Sequence, residues 1–332
     1  MSIPYTSATD LLGQTAPLTF ALKVPLLGVP VVYSSNSPAV IKAAGRALAI
    51  WRDLPPELVA PGPPARVAVI VHPIGPGDPK VPPAERFVFR AHGDSFLAAS
   101  GGNLLGAQMA ASVATAFVTP ELAADEPNLR HNVIECLGFL LVSHRDRTPV
   151  HAAAVVRGGR AVLLAGPSAA GKSTLCYACV RAGFGLLAED TVSVSLEGGM
   201  RLWGHPSRIH LLPDAPRLFP ELAGLAPRVQ ANGKLKLAVD VAALGPDRLV
   251  THADRAVVCF VERAAGQASR LAPMDAGEAA AALSDPREPG FDLLRDRAPT
   301  VAHALTAGGA YRLTVGADPA AAAALIAHLA ES

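Results

Sequence analysis

The sequence is poor in the residues that would place it in several large protein classes. Only four of its 332 residues are cysteines, too few for a disulfide scaffold, and this scarcity favours a reducing compartment. Aromatic residues make up only 5% of a chain that is 50% hydrophobic, because alanine supplies much of that hydrophobic share. With 29 basic and 28 acidic residues the net charge is +1, so the chain lacks the basic excess typical of nucleic-acid-binding proteins.

Long hydrophobic runs are also missing. No stretch approaches the roughly 20 apolar residues that cross a bilayer. The N-terminal segment lacks the basic region and apolar core of a signal peptide. These absences predict a soluble, cytoplasmic protein with neither a membrane nor a nucleic acid as partner. A chain of 332 residues is long enough for two domains and for a core that needs no disulfide or metal.

The first 125 residues mix strand-like and helix-like patterns and predict a small α+β domain. A proline-rich stretch within it excludes regular structure, because proline lacks the backbone N–H group and fixes φ. The predicted elements, in chain order, are a strand, a helix, this connector, a strand, a loop and a meander, at 25–33, 37–51, 54–64, 65–74, 75–83 and 85–100. No set of chemistry-bearing residues stands out here, so the role of this domain is not predicted.

A helix and then a hairpin are predicted beyond this domain. Residues 128–142 carry apolar side chains at helical spacing, within a connecting segment at 126–148. Two apolar runs follow at 151–156 and 161–166, with the pair Gly158-Gly159 between them. Both central positions of a type I′ turn need a positive φ angle, which glycine adopts freely, so this arrangement predicts a β-hairpin.

The second apolar run leads into GPSAAGKS, which fits the pattern G-x-x-x-x-G-K-[ST] between a strand and a helix. Glycines let such a loop wrap with its N–H groups pointing inward, and the helix N-terminus adds partial positive charge. The pattern predicts nucleotide binding, with Lys172 on the β- and γ-phosphates and Ser173 on Mg²⁺; a loop that matches by chance and binds nothing is the alternative. The predicted nucleotide-binding residues are Gly166, Pro167, Ser168, Ala169, Ala170, Gly171, Lys172, Ser173 and Thr174.

Three further residues are candidates for chemistry beside this loop. After a helix predicted to end at Gly183, one buried strand is predicted at 184–196, and it carries Glu189 and Asp190. Open α/β sheets place ligands at such strand ends, so the pair predicts Mg²⁺ ligands and a proton acceptor for an attacking hydroxyl. Solvated acids at a strand end are the alternative. His151 opens the first hairpin strand, so its ring is expected near the phosphates unless it is a structural histidine.

The remaining elements are expected to complete one α/β unit. Strands are predicted at 257–264 and 311–317, and Asp318-Pro319 is expected to cap and open a terminal helix. Cys176 and Cys179 form C-x-x-C inside the predicted helix after the loop, and they are interpreted as small core residues.

Residues 149–195 resemble the catalytic domain of HPr kinase/phosphorylase and its relatives. These proteins form a P-loop family whose fold is similar to that of phosphoenolpyruvate carboxykinase. The resemblance lies in the order of a histidine, a hairpin, the G-x-x-x-x-G-K-[ST] loop and an acidic pair. It implies that Asp190, Lys172 and His151 are catalytic, with Asp190 as proton acceptor, and that Ser173 binds Mg²⁺ together with Glu189 and Asp190.

The resemblance also implies an architecture and an activity. The architecture is an α/β, HPr-kinase-like P-loop catalytic domain at 149–332, preceded by the smaller α+β domain at 1–125. The segment at 204–215 stands where HPr kinases carry a glutamate-bearing metal contact, and it looks like that of divergent serine kinases, some of which phosphorylate small peptides. The implied activity is ATP- and Mg²⁺-dependent phosphorylation of a serine or threonine hydroxyl in a peptide or small protein.

Several alternatives stay open at the level of sequence. The chain could be an ATP-binding regulatory module without transfer activity, or a small-molecule kinase, and either a monomer or a homo-oligomer. Arg208 and Lys234 are either contacts for phosphate or substrate, or exposed loop cations. His205 and His210 lack a framework of cysteines or acids at metal-ligand spacing, so no zinc site is predicted.

Overall fold

The computed structural model describes residues 16–72, 86–230, 233–264, 266–284 and 296–331. The chain divides into two compact units, residues 1–145 and 146–332, with a mixture of helices and several sheets. The N-terminal segment without signal-peptide features and the loop predicted at 75–83 lie outside the described residues. Within the described ranges, no helix is both long and apolar enough to cross a bilayer.

The described residues of the first unit form a seven-stranded sheet. Its strands are β1 Phe20–Leu26, β2 Val29–Ser35, β3 Ala65–Val71, β4 Val88–His92, β5 Ser95–Ser100, β6 Asn103–Gln108 and β7 Val113–Val118. Their order across the sheet is β1-β2-β3-β7-β6-β5-β4. Its helices are α1 Pro38–Ala47, α2 Pro120–Ala124, α3 Glu126–Leu129 and α4 Cys136–Ser143, with a π-helical turn Arg130–Glu135 before α4.

Two predictions for this unit need correction and one is confirmed. The single strand predicted at 25–33 is a hairpin, because Leu27 and Gly28 adopt positive φ angles of 49° and 76° and reverse the chain between β1 and β2. The helical segment predicted as a connection ends at Ser143, inside the first unit. The predicted meander is confirmed, since β4 to β7 pair as antiparallel neighbours.

The described residues of the second unit form three sheets. Its strands are β8 Thr148–His151, β9 Ala153–Arg157, β10 Arg160–Ala165, β11 Gly185–Ala188, β12 Thr191–Ser195, β13 Arg201–Trp203, β14 Arg208–Leu211, β15 Arg228–Val229, β16 Leu235–Asp240, β17 His252–Ala253, β18 Arg255–Arg263, β19 Arg270–Pro273 and β20 Ala310–Val315. The sheets have the orders β11-β9-β10-β18-β20-β19, β17-β13-β12-β8 and β14-β16-β15. The helices are α5 Lys172–Arg181, α6 Ala276–Ser284, α7 Ala298–Thr306 and α8 Pro319–Glu331.

The six-stranded sheet is buried on both faces, which explains why its strands are continuous apolar runs rather than alternating ones. On one face, Val162 and Leu164 of β10 belong to the core that contains Leu175 of α5 and Ile326 of α8. On the other face, Leu163 shares a core with residues of β12 and α7.

The strand directions bring four strand ends to one edge of this sheet. Strand β10 runs parallel to β18, and β18 runs parallel to β20. Because β9 is antiparallel to both β10 and β11, those two strands also share a direction. The carboxyl ends of β10, β11, β18 and β20 therefore lie at the same edge, where α/β sheets place their ligands.

Three predictions for this unit are confirmed. Gly158 and Gly159 have φ angles of 57° and 75° and join β9 to β10 as an antiparallel hairpin. Strands are present over most of 257–264 and 311–317. The carboxylate of Asp318 accepts a hydrogen bond from the Ala320 N–H group at 2.9 Å and caps the start of α8.

Two predicted strands are each split between two sheets. His151 does not open the hairpin strand; it ends β8, in the four-stranded sheet, and the chain bends at Ala152, whose N–H group donates to the Val150 carbonyl at 2.9 Å. The strand predicted at 184–196 likewise breaks into β11 and β12, and Glu189 and Asp190 form the link. The chain thus crosses between the four-stranded and the six-stranded sheet twice, from β8 to β9 and from β11 to β12. The two crossings are adjacent, because β11 pairs with β9 and β12 pairs with β8.

Candidate functional site

The loop at 166–171 leaves the carboxyl end of β10 and leads directly into α5. Gly166, Ala169 and Gly171 have positive φ angles of 144°, 66° and 98°, which curl the backbone tightly. A Cβ atom on Gly166 would lie 2.7 Å from the Val261 carbonyl oxygen, closer than side chains approach, so this position needs glycine. The curled loop lies at the N-terminus of α5, where the helix dipole is positive.

Lys172, the first residue of α5, is 8% exposed. Its Nζ atom donates hydrogen bonds to the carbonyl oxygens of Gly166 and Pro167, at 2.8 and 3.2 Å. Both acceptors are neutral carbonyl groups. An anion held by the loop would give the ammonium group a stronger, charge-assisted interaction. The geometry therefore directs the lysine charge into the loop.

Glu189 is held beside the next residue of the helix. Its Oε1 atom accepts hydrogen bonds from the Ser173 Oγ atom at 3.4 Å and from the His210 backbone N–H group at 2.8 Å. Its Oε2 atom lies 2.6 Å from the Nδ1 atom of the His210 ring. With only 17% of its side chain exposed, this carboxylate is fixed in place by three contacts.

Asp190 points to a different neighbour from Glu189. Its Oδ1 atom lies 3.6 Å from the Nδ1 atom of His151, and 66% of its side chain is exposed. The register explains this proximity, because Thr191 of β12 pairs directly with His151 of β8. The distance exceeds a hydrogen bond, but catalytic contacts often tighten only when a substrate binds.

The structure thus brings five of the predicted side chains to one edge of the sheet: Lys172, Ser173, Glu189, Asp190 and His151. It also divides the acidic pair, with Glu189 beside Ser173 and Asp190 beside His151. Such an arrangement can hold a cation at one carboxylate and accept a proton at the other.

The donor set around Ser173 suits magnesium. Mg²⁺ is usually held by one or two carboxylates together with waters and phosphate oxygens, and Ser173 and Glu189 supply one hydroxyl and one carboxylate. In the described part of the chain, no group of three or more His, Cys, Asp or Glu side chains is arranged to hold a metal. A cation here would therefore take further ligands from a bound phosphate and from water.

The two cysteines of the C-x-x-C segment are core residues, as predicted. Cys176 and Cys179 are free thiols and fully buried. Burial raises the pKa of the Cys176 thiol well above its usual value, and the charges of Cys179 and Glu189 add to the rise. Burial likewise raises the pKa of Cys179. Neither thiol is activated for chemistry.

Arg208 and Lys234 are the two cations predicted as contacts for phosphate or substrate. Both are exposed, Arg208 at the start of β14 and Lys234 immediately before β16. From the same sheet it is His210 that reaches the site, through Glu189. A role for the two cations in binding phosphate or substrate stays a prediction.

Sequence reasoning missed two residues at this edge of the sheet. His210 contacts Glu189 with both its backbone and its ring, and only its spacing of two residues from Arg208 on a strand offered a signal. Arg263 ends β18, and its side-chain atoms lie 3.7–3.8 Å from the point where a Cβ on Gly171 would stand. Arg263 follows a buried apolar run that forms the strand next to β10, and the ends of such strands hold ligands in α/β sheets. This position could have marked Arg263 as a candidate from the sequence.

Comparisons with known proteins give a distant similarity to solved structures. No protein-family model matches the chain, and no curated protein matches it. Among solved structures, the chain is similar to the HPr(Ser) kinase/phosphatase from Coxiella burnetii, with 13% sequence identity and a TM-score of 0.28. The match covers 54% of this chain and 94% of that protein. At this identity and TM-score it assigns neither a mechanism nor a substrate.

Proposed function

We propose that the second unit is an ATP- and Mg²⁺-dependent kinase, with an HPr-kinase-like P-loop fold, that phosphorylates a serine or threonine hydroxyl of a peptide or small protein. One observation carries this proposal. The G-x-x-x-x-G-K-S loop stands at the carboxyl edge of the six-stranded sheet, and the two carboxylates that follow β11 lie at the same edge in different surroundings.

Binding of the triphosphate rests on the loop and on Lys172. The curled backbone and the N-terminus of α5 provide a positive cradle. The Lys172 ammonium group, already directed at the loop carbonyls, would neutralise the β- and γ-phosphates. Mg²⁺, when bound through Ser173 and Glu189, would supply charge neutralisation on the transferred group.

Transfer itself needs a proton acceptor and alignment more than covalent chemistry. The substrate hydroxyl oxygen would bond to the γ-phosphorus while the bond from that phosphorus to the β,γ-bridging oxygen breaks and ADP leaves. Asp190 would take the hydroxyl proton, because it is the more exposed acid and is open to a substrate. His151, only 16% exposed beneath it, would orient the carboxylate.

The test is ADP release from MgATP with a mixture of serine- and threonine-containing peptides, against the same peptides with alanine at those positions. The proposal expects faster release with the hydroxyl-bearing mixture. Asp190→Asn should lower this rate by about 10²–10⁴-fold and leave MgATP affinity within about twofold of wild type. Transfer at the wild-type rate by Asp190→Asn would contradict the proton-acceptor assignment, and equal rates with both mixtures would contradict a hydroxyl acceptor.

A further inference from the structure

We propose that the acceptor peptide docks through its own acidic residues on a basic face of the three-stranded sheet. This basic face is formed by Arg208 of β14, Lys236 of β16 and Arg228 of β15. The inference rests on the proposed function, because it names the class of peptide that the kinase would accept. That class carries carboxylates close to the serine or threonine that is phosphorylated.

Strand alternation places the three cations on one side of the sheet. Arg208 pairs with Asp240 of β16, and Lys236 lies four residues before Asp240 on the same strand, so both cations share a face. Arg228 pairs directly with Lys236 and therefore shares that face as well. The residues that alternate with them along β14 and β16, such as Ile209, are buried in the core that also contains α5. The basic face is thus the side of the sheet that points away from this core.

The basic face is continuous with the candidate catalytic site. His210 lies two residues along β14 from the arginine of that strand, so its ring is on the same face, and this ring contacts Glu189 at 2.6 Å. Because His210 pairs with Ala238, Lys236 is its diagonal neighbour on β16, and Arg228 follows on β15. Diagonal and direct neighbours are about 7–8 and 5 Å apart. The row from His210 to Arg228 therefore spans about 12 Å, or three to four residues of an extended peptide.

The positive charge of this face is not balanced by the described residues. Arg228 and Lys236 stand directly opposite each other, and like charges in such a position destabilise a sheet. Within the described part of the chain, neither of them forms an ion pair, and nor does Arg208. The acid on this face of the described strands is Asp240, whose Oδ1 atom accepts a hydrogen bond from the Ala242 N–H group at 3.0 Å. Carboxylates of a bound peptide would relieve the repulsion.

A peptide suits this surface better than the nucleotide does. Glu189 lies between Ser173 and His210 and contacts both, so its carboxylate would repel a phosphate chain that extended from the loop onto the basic face. The surface is also open rather than enclosed, because Ala238, opposite His210, carries only a methyl group. An extended peptide can lie across such a surface with its carboxylates directed at the cations.

The test uses MgATP and two serine-centred peptide mixtures. The mixtures are identical, except that every glutamate within six residues of the serine in one is glutamine in the other. The wild type should phosphorylate the glutamate mixture with a kcat/KM at least about fivefold higher, mainly through a lower KM, because exposed charges act on encounter and binding. Added salt should reduce this preference, because it screens exposed charges.

Two substitutions remove the cations that face each other. Lys236→Gln and Arg228→Gln should each lower the preference for glutamate, and the double variant should bring the two kcat/KM values within about twofold of each other. Arg255→Gln is the matched control. Arg255 is exposed and begins β18, as Arg228 begins β15, but it lies at the edge of the six-stranded sheet opposite the loop. This control should keep the wild-type preference.

A charge swap covers the case in which the loss of preference reflects disturbed folding. The double variant Lys236→Glu/Arg228→Glu should prefer a mixture with lysine at the varied positions over the glutamate mixture, a reversal that misfolding does not produce. Equal use of the glutamate and glutamine mixtures by the wild type would overturn the inference, as would an unchanged preference in both glutamine variants. A rise in the KM for MgATP as large as that for the peptide would assign the cations to the nucleotide instead. Transfer to neither mixture by the wild type would overturn the proposed function itself.

Discussion

The ring of His210 and the carboxylate of Glu189 meet at 2.6 Å, from Nδ1 to Oε2, while the His210 N–H group donates to the other carboxylate oxygen at 2.8 Å. This double contact links β14, a strand of the three-stranded sheet, to the turn after β11. The oxygen that accepts from the His210 N–H group, Oε1, also accepts a hydrogen bond from the Ser173 hydroxyl at 3.4 Å. We therefore regard His210 as a positioning residue for the carboxylate that would bind Mg²⁺.

His210→Ala removes the ring contact and keeps the backbone contact. Because residues that hold a metal-binding carboxylate affect metal affinity by about 10–100-fold, we expect the Mg²⁺ concentration needed for half-maximal ATP binding to rise within this range. ATP affinity measured in EDTA should not change. Asn places an N–H donor near the position of Nδ1, so His210→Asn should recover part of the loss.

The control for this experiment is His303→Ala, the same substitution at an exposed position of α7. It should leave the Mg²⁺ dependence unchanged. A purely structural role for His210 would instead lower ATP affinity equally with and without Mg²⁺, with no recovery by asparagine.

Gly166→Ala should damage the loop more than an ordinary glycine substitution. Its φ angle of 144° is unfavourable for alanine, and its Cβ would contact the Val261 carbonyl at 2.7 Å. We expect a loss of about 1–3 kcal/mol in the free energy of unfolding of the second unit. The chain has two tryptophans, so Trp203 fluorescence in a Trp51→Phe background reports urea unfolding of this unit.

Gly158→Ala is the comparison for that measurement. Gly158 also has a positive φ angle, 57°, but a Cβ there would meet no heavy atom within 4 Å. Gly158→Ala should lower the free energy of unfolding of the second unit by only roughly 1–2 kcal/mol, the cost of a left-handed backbone at a residue other than glycine. It should leave ATP binding unchanged. Equal effects of the two variants on both stability and ATP binding would show that the contact with Val261 is unimportant.

The three buried cysteines, Cys176, Cys179 and Cys259, should react slowly with thiol reagents in the folded protein. Burial raises the pKa of Cys136 to about 11 and that of Cys259 to about 12, and it also raises those of Cys176 and Cys179. The thiolate is the reactive form, so at pH 7 the raised pKa values leave almost none of it. Labelling with a chromogenic disulfide should be slow in buffer and complete in guanidinium chloride. Rapid native labelling of Cys176 or Cys179 would contradict their assignment to the core.

The sequence predicted the local features of the site well. A Gly-Gly pair between two apolar runs indicates a tight hairpin because only special φ angles fit, and Gly158 and Gly159 have them. The loop glycines follow the same logic. The register of β9 between β10 and β11 then brings the loop and the acidic pair together.

What the sequence could not predict were the crossings between sheets. A strand buried on both faces shows no alternation, so nothing marks the point where β8 ends and β9 begins at Ala152, or where β11 gives way to β12. Long-range pairing sets those breaks. The contact of His210 with Glu189 was not predictable either, because long-range packing brings β14 of the three-stranded sheet against the link that follows β11.

Calorimetric titration of MgATP into the wild type and Lys172→Ala asks whether the loop and Lys172 bind a nucleoside triphosphate, on which the proposed kinase activity depends. We expect one site per chain in the wild type and a loss of affinity of at least about 100-fold in the variant. Arg181→Ala, at the other end of α5, removes the same charge and should bind normally. Undiminished MgATP binding by Lys172→Ala, or no binding by the wild type, would contradict the claim.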